Sequence, residues 1–240
     1  MIGTSFQSLV KSLGAQWPEP TPYARTTMSD GWERRQARTR RDVIDAAGAL
    51  VGESGIGGLT MRKLAERAGV AVATLYNQFG DRDGVLVAFV SNGLDQLERE
   101  LDAGADVGPI ETTRVLFDAL DDTLGASQEL WRPIFASLAA VRSDAGTRDM
   151  GALGDRVVDH IQTDLEKAAA EGLLVAGCDV EALARHVFVT WTNRLEKWAT
   201  GVIEWEHHRD SARLGRELAL AAVLVEPHRA DALERSGLLV

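Results

Sequence analysis

The segment 55–89, with the sequence GIGGLTMRKLAERAGVAVATLYNQFGDRDGVLVAF, decides the fold of this chain of 240 residues. It predicts two short helices joined by a tight turn. Thr60 is a suitable N-cap for the first helix, and Gly69 lies where a helix C-terminus favours a residue that tolerates the left-handed conformation. The second helix carries Leu75 inward and small or amide-bearing side chains outward. A helix that lies against DNA base edges requires such a surface.

A set of residues in fixed register extends this pattern over about thirty residues. They are Thr60, Ala68-Gly69-Val70, Thr74-Leu75-Tyr76, Phe79 and Arg82-Asp83. The segment resembles the DNA-binding domain of TetR-family transcriptional regulators. The resemblance implies an all-α protein, with an N-terminal three-helix helix-turn-helix domain and a C-terminal helical domain for ligand binding and dimerisation.

Three features depart from the family pattern. Ala71 stands where the family often has Ser or Thr, so the second helix lacks a side-chain cap. Arg82 replaces a frequent Lys, which keeps the positive charge but changes the donor geometry. Asn77 and Gln78 stand where many family members carry aromatic or His residues, which leaves the target DNA sequence open.

The resemblance also implies which residues contact DNA. Tyr76 and Thr60 would hydrogen-bond DNA phosphates, and Arg82 would contact the DNA backbone beyond the end of the recognition helix. The candidates for base contacts are Arg62 to guanine, Val72, Ala73 and Thr74 to thymine methyl groups, and Asn77 or Gln78 to adenine.

The charge of the chain is distributed unevenly. The net charge is −10, which is unusual for a DNA-binding protein. Residues 1–82, however, hold 11 lysines and arginines against 8 acidic residues, whereas residues 83–240 hold 15 against 28. The densest basic run consists of Arg34, Arg35, Arg38, Arg40 and Arg41. It is either a solvated helix start or, directly before the helix-turn-helix, a set of phosphate or minor-groove contacts, chiefly from the last three.

Helical periodicity predicts about nine helices and no convincing strand. Three regions follow: a largely flexible leader at 1–29, a DNA-binding domain at 30–103 with its helix-turn-helix at 60–79, and an effector-binding and dimerisation domain at 104–240. The helices outside the helix-turn-helix are predicted near 34–53, 82–102, 111–124, 128–141, 147–171, 179–200 and 209–225.

Two amphipathic helices late in the chain, at 179–200 and 209–225, predict a homodimer. Their apolar stripes would pair with their copies in a four-helix interface, or would be buried within their own subunit. The stripes are Leu183, Val187, Trp191, Leu195 and Trp198 in the first helix, and Leu214, Leu218, Ala221, Ala222 and Val225 in the second. We expect dimerisation because a lone recognition helix binds weakly and, by the resemblance, the operator is two-fold symmetric.

A ligand cavity between the C-terminal helices is implied by the resemblance. Trp131, Phe135, His160 and Trp191 are candidates to line it, because aromatic side chains commonly line ligand sites among facing helices. Each of them taken alone is more often a core residue. A bound small molecule would tilt the helix at 82–102. This would change the spacing of the two recognition helices of the dimer and release the operator.

Other chemistries find little support in the sequence. The single Cys178 excludes an intrachain disulfide and fits a reducing cytoplasm, and the longest apolar run, 218–225, is too short to span a membrane. Glu204, His207 and His208 match no metal-binding spacing and are interpreted as a solvated helix start. The pairs Asp121-Asp122 and Asp155-Asp159 lack any accompanying nucleophile or base, so we expect exposed helix faces.

The sequence therefore predicts a cytoplasmic, sequence-specific transcriptional regulator, without enzymatic activity, cofactor or metal, that binds double-stranded operator DNA. It would be a repressor released by a small-molecule effector. Two alternatives stay open. A nucleic-acid-binding architectural protein would respond to no metabolite, and an all-helical enzyme or adaptor would show no salt-dependent affinity for DNA.

Overall fold

The computed structural model describes residues 28–102, 107–140 and 144–238. Ten α-helices lie in these ranges: α1 Met28–Ser54, α2 Met61–Ala68, α3 Val72–Phe79, α4 Arg82–Asp102, α5 Pro109–Gly125, α6 Gln128–Ala139, α7 Asp144–Ala170, α8 Val180–Ala199, α9 Trp205–Val223 and α10 His228–Arg235. One turn of 3₁₀ helix, Ile56–Gly58, precedes α2, and the only extended pairing in the described ranges is an isolated antiparallel bridge between Leu174 and Leu224. The all-α fold is confirmed.

The helix α10 is the element that the periodicity did not predict. It is eight residues long, and only Ala232 on it is fully buried. So short a helix with one buried side chain gives no apolar stripe. Ion pairs hold it instead, since Asp231 lies 2.8 Å from Arg114 on α5.

The helix-turn-helix is built by the local signals that the sequence carries. The Thr60 hydroxyl accepts a hydrogen bond from the Lys63 backbone N–H at 3.3 Å and so caps α2. Gly69 ends α2 at φ 66° and ψ 30°, a left-handed conformation that costs glycine little. The Val70 N–H then donates to the Ala65 carbonyl at 3.0 Å, which closes the turn. Ala71 precedes α3 without a side-chain cap, as expected.

The amino-terminal helices share one apolar core. Val43 and Leu50 of α1 pack with Leu64 of α2 and Leu75 of α3, and all four are buried. At the surface, the Arg67 guanidinium donates two hydrogen bonds to the Glu53 carboxylate, at 2.6 and 2.7 Å. These hydrogen bonds hold the pKa of Glu53 below its ordinary value. They fix the end of α1 against α2.

The long helix α4 packs against both parts of the protein. It contacts α1 on one side and α5, α6 and α7 on the other. The helices α8 and α9 lie against each other, and α8 also packs on α6 and α7. Gly215 of α9 permits this close approach, because a Cβ at that position would lie 2.5 Å from the Thr190 side chain of α8.

The stripe predicted on α8 is part of the subunit's own core. Its five side chains are all buried: Leu183, Val187, Trp191, Leu195 and Trp198. On α9 the stripe is divided, since Ala221 is buried whereas Leu218 is 40% exposed. The buried members of both stripes therefore belong to intrasubunit packing, and a dimer interface would have to use other faces of these helices.

A buried ion cluster joins α5, α9 and α10. The side chains of Arg114 and Glu217 are 5% and 1% exposed, and their charged atoms lie 2.9 Å apart. Arg216 also donates to Glu217, at 3.0 Å, and reaches Asp118 at 3.0 Å. Buried charges cost much desolvation energy unless they are paired and hydrogen-bonded, and here each arginine has two or more carboxylate partners.

The predicted leader lies outside the described residues except for its last two positions, which begin α1. Residues 103–106 of the predicted domain boundary also lie outside them. The division of the chain into three regions therefore stays a prediction. No helix in the described part of the chain is long and apolar enough to cross a membrane.

Candidate nucleic-acid interface and ligand cavity

The helix α3 presents a mixed polar and apolar surface to solvent. Leu75 and Phe79 are buried beneath it. On the outer side Tyr76 is 51% exposed and Val72 is 38% exposed. Ala73 and Asn77 are also exposed, and Thr74 is half-buried. The sequence-predicted base and phosphate contacts on α3 therefore lie mostly on its solvent side.

Gln78 is the exception on this helix. It is half-buried, and it lines a small cleft between α1 and α3 together with Gln36, Arg40 and Asn77. Its side-chain oxygen is buried and has no hydrogen-bond partner among the described residues. Because Gln78 is half-buried whereas Asn77 is exposed, Asn77 is the better placed of the two amides to reach a base.

Positive side chains flank α3 on neighbouring helices. Arg38, Arg40 and Arg41 of α1 are all exposed, and the Arg40 guanidinium lies 5.0 Å above the Phe79 ring, close to the end of α3. Arg62 is exposed in the first turn of α2, where the helix dipole also favours a phosphate. Arg40 thus places a positive charge beside α3, and the other three arginines add exposed positive charge on α1 and α2 that phosphate binding could use.

The joint between α3 and α4 is tight. The Asp81 carboxylate accepts a hydrogen bond from the Gly84 N–H at 2.9 Å. A Cβ on Gly84 would lie only 1.9 Å from the Phe79 carbonyl oxygen, so only glycine fits this backbone. The orientation of α3 is therefore fixed relative to the start of α4.

Arg82, which the family resemblance assigns to the DNA backbone, contacts the carboxyl-terminal half of the chain. Its guanidinium donates a hydrogen bond to the Ser137 hydroxyl of α6 at 2.8 Å, and the side chain is still 40% exposed. Sequence reasoning did not identify Ser137, because nothing local links residues 55 positions apart. The arginine next to the recognition helix is thus tied to a helix of the other half.

A cavity of about 630 Å³ that is open to solvent lies among α4, α5, α6, α7 and α8. Most of its walls are apolar. The side chains that form them include Leu94 and Leu97 of α4, Leu124 of α5, Val157 of α7 and Leu195 of α8. Its volume falls within the range of sites that hold drug-sized ligands.

Three of the four aromatic residues predicted for a cavity do line this one. They are Trp131, Phe135 and Trp191. His160 is not among the described residues that line it; the side chain lies on α7, with Nε2 3.7 Å from the Asp164 carboxylate. Helical periodicity alone cannot tell the cavity side of α7 from the side that packs on neighbouring helices.

Asp121 and His208 correct two predictions. Asp121 was expected on an exposed face, yet it is buried and accepts a hydrogen bond from the Trp191 indole N–H at 2.8 Å. His208 was expected at a solvated helix start, yet it is fully buried, with Nε2 3.1 Å from Asp121. The signal for Asp121 was present in the sequence, because it continues the apolar row of Phe117 and Leu124 on α5.

The remaining acidic and histidine candidates behave as expected. Asp122, Asp155 and Asp159 are exposed, as are Glu204 and His207. Within the described ranges no group of three or more His, Cys, Asp or Glu side chains could hold a metal ion.

Comparison with known proteins decides the family. Residues 43–89, which include α2, α3 and the joint, match the model of bacterial regulatory proteins of the tetR family. The chain is a TetR-family regulator. Among curated relatives of this regulator, the HTH-type transcriptional repressor KstR of Rhodococcus jostii (strain RHA1) is 25% identical over 167 residues, which cover 69% of this chain and 74% of that protein.

Solved TetR-family structures share the fold of this regulator. Thermus thermophilus FadR, a repressor solved in complex with lauroyl-CoA, matches with a TM-score of 0.61 at 23% identity, over 78% of this chain and 96% of that one. SmeT, the repressor of the Stenotrophomonas maltophilia multidrug efflux pump SmeDEF, matches with a TM-score of 0.59 at 21% identity, over 79% of this chain and 92% of that one.

Proposed function

We propose that this TetR-family regulator binds a two-fold symmetric DNA operator as a homodimer and represses transcription until a small molecule enters the cavity. The proposal rests on the position of α4 in the fold. Its first turn follows the recognition helix α3, and its later turns form one wall of the cavity through Val90, Leu94 and Leu97. One helix therefore connects the surface that would read DNA with the space that would hold the effector.

DNA binding would use α3 in the major groove. Tyr76 and Thr60 would hydrogen-bond phosphates, while Asn77 and the small side chains of α3 would meet base edges. Arg38 and Arg41 on α1 would add phosphate or minor-groove contacts. Such a regulator acts on chromosomal DNA and hence in the cytoplasm.

Dimerisation would use the outer faces of α8 and α9. Leu218 on α9 is 40% exposed, whereas the exposed Val189 of α8 lines the cavity. Ala222, one turn after Leu218, is also exposed. Large apolar side chains on a helix surface favour pairing with an identical surface across a two-fold axis. The four-helix interface would then pair these outer faces, leaving the buried stripes in each subunit's core.

Release of the operator would follow from the contact between Arg82 and Ser137. Ser137 lies on α6, the helix that also contributes Trp131 and Phe135 to the cavity wall. A ligand that displaces α6 relative to α4 would change the position of Arg82 and of the recognition helix behind it. A ligand shifts such an equilibrium only by its difference in affinity for the two states. The relatives support this scheme, since KstR and FadR are named as repressors and FadR was solved with lauroyl-CoA.

The first experiment is a nuclease footprint of the purified full-length chain on the DNA upstream of its own gene, repeated across salt concentrations. We expect a two-fold symmetric protected site whose protection weakens steeply with salt, because arginine–phosphate contacts release counterions. Even protection along the whole fragment would favour the architectural alternative. If that fragment shows no site, selection from genomic DNA decides, and failure to select a symmetric sequence there would contradict the proposal.

A further inference from the structure

We infer that the effector is a lipophilic cation, an apolar molecule that carries one positive charge. This inference rests on the proposed function, because it concerns the effector of the same cavity. Two independent features of the cavity wall support it: the aromatic side chains and the signs of the charges.

Four aromatic side chains contribute to the walls. They are Trp131, Phe135, Phe188 and Trp191. The rings of Trp131 and Phe135 lie 6.1 Å apart between centroids, and the Trp191 ring is held in place by its hydrogen bond to buried Asp121. Aromatic faces attract cations through the ring quadrupole, most strongly where water is excluded, and clusters of such rings recognise quaternary ammonium groups.

The charged side chains that line the cavity are mostly acidic. Among the described residues there, Glu100, Asp155 and Glu196 are carboxylates and Arg185 is a cation, and all four are exposed to solvent. The guanidinium of Arg185 lies 3.3 Å from Glu181 and 4.0 Å from Asp155, so carboxylates already neutralise it. Glu100 accepts a hydrogen bond from the neutral Gln96 amide at 3.3 Å. The described lining therefore has a net negative charge.

An anionic ligand would meet the wrong charge in this cavity. Its carboxylate or phosphate group would lie near the exposed carboxylates of Glu100 and Glu196, which repel a negative charge. A cation would instead gain from both the carboxylates and the rings. The inferred effector class thus differs from the acyl-CoA with which Thermus thermophilus FadR was solved.

Three probes of equal chain length test this inference: decyltrimethylammonium, 1-decanol and decanoate. Each is titrated into the full-length, ligand-free protein by isothermal titration calorimetry at low ionic strength and below the concentration at which it forms micelles. We expect the cation to bind about tenfold more tightly than decanoate, with the alcohol between them. Equal or tighter binding of decanoate would overturn the inference. So would failure of all three probes to bind.

Two variants test which residues cause the preference for the cation over decanoate. Replacing both lining carboxylates, Glu100→Gln and Glu196→Gln, should reduce the preference for the cation to about threefold or less, because the pairing charges are lost. The matched control is the double variant Glu171→Gln and Glu206→Gln, which removes two exposed carboxylates that do not line the cavity. If the control reduces the preference as much as the variant of the lining carboxylates does, net charge sets the selectivity and the inference fails.

The test of the effector class can be distinguished from the test of the proposed function. The ligand-free footprint tests operator binding without any probe. A protein that gives the symmetric footprint but prefers decanoate keeps its regulatory function and loses this effector class. A protein that prefers the cation but protects no symmetric site keeps the ligand class and loses the proposed function.

Discussion

Tyr76 extends its phenol from the solvent side of α3, where it is 51% exposed. If it hydrogen-bonds a phosphate, Tyr76→Phe should weaken operator binding by about 1.5–3 kcal/mol for each recognition helix, the usual contribution of a hydrogen bond to a charged group. Fluorescence anisotropy on the footprinted operator at moderate salt measures this change. The free energy of unfolding should stay the same, because the hydroxyl has no described partner in the folded subunit. Unchanged affinity would contradict the phosphate contact.

At the scale of single residues, the sequence predicts local interactions well and distant ones poorly. Thr60 and Gly69 occupy their predicted capping positions because a cap depends only on neighbours in the chain. Arg82 and Asp121 were placed incompletely or wrongly, because their partners, Ser137 and Trp191, lie 55 and 70 positions away. The apolar row on α5 indicates that Asp121 is buried, but no local pattern specifies which distant side chain such a residue contacts.

Between elements, the joint of α3 and α4 depends on Gly84. Gly84→Ala places a methyl group 1.9 Å from the Phe79 carbonyl oxygen, so the backbone must shift. We expect a loss of about 1–3 kcal/mol in the free energy of unfolding and a weaker operator complex, measured by urea denaturation and anisotropy. The matched control is Gly52→Ala, because a Cβ there meets no atom within 4 Å. In a helix that change should be neutral or stabilise by up to about 1 kcal/mol.

The contact between α4 and α6 predicts a gain of affinity. Ser137→Ala removes the acceptor of the Arg82 guanidinium, which is then more available to a phosphate. Operator affinity should rise by about 0.5–1.5 kcal/mol, the net value of one hydrogen bond. In an Arg82→Met background the same serine change should have no effect, which a double-mutant cycle by anisotropy tests. An equal effect in both backgrounds would show that Ser137 acts through another residue.

Elements with a long apolar stripe were predicted with bounds close to those observed. The helix α4 has its predicted bounds, and the observed α5 and α8 differ from prediction by one or two residues at each end. The observed α9 begins at Trp205, four residues earlier than predicted, because the exposed residues 206 and 207 interrupt its stripe. The sequence could not show whether an apolar stripe lies in the subunit's core or at a dimer interface, because both environments favour apolar side chains.

Across the whole molecule, charge and symmetry decide how two subunits could engage DNA. The segment 83–240 has a net negative charge. It would face away from the duplex if the subunits pair through α8 and α9 and present both copies of α3 at the opposite end. Each subunit alone offers one short recognition helix, and half-site binding of this kind is weak. Dimerisation should therefore control operator affinity more strongly than any single base contact does.

Leu218 provides the sharpest test of that arrangement. Its side chain is 40% exposed on the outer face of α9, so Leu218→Asp adds a charge without disturbing the subunit's core. We expect sedimentation velocity to show a monomer, circular dichroism to show unchanged helix content, and operator affinity to fall steeply, because a charge buried without a partner disfavours the interface. Val202→Asp is the matched control: Val202 is 69% exposed but lies in the turn between α8 and α9, so that variant should stay dimeric and bind the operator. A Leu218→Asp protein that remains a dimer would place the interface on another surface, whereas a monomer that binds the operator with full affinity would show that pairing is not needed for recognition.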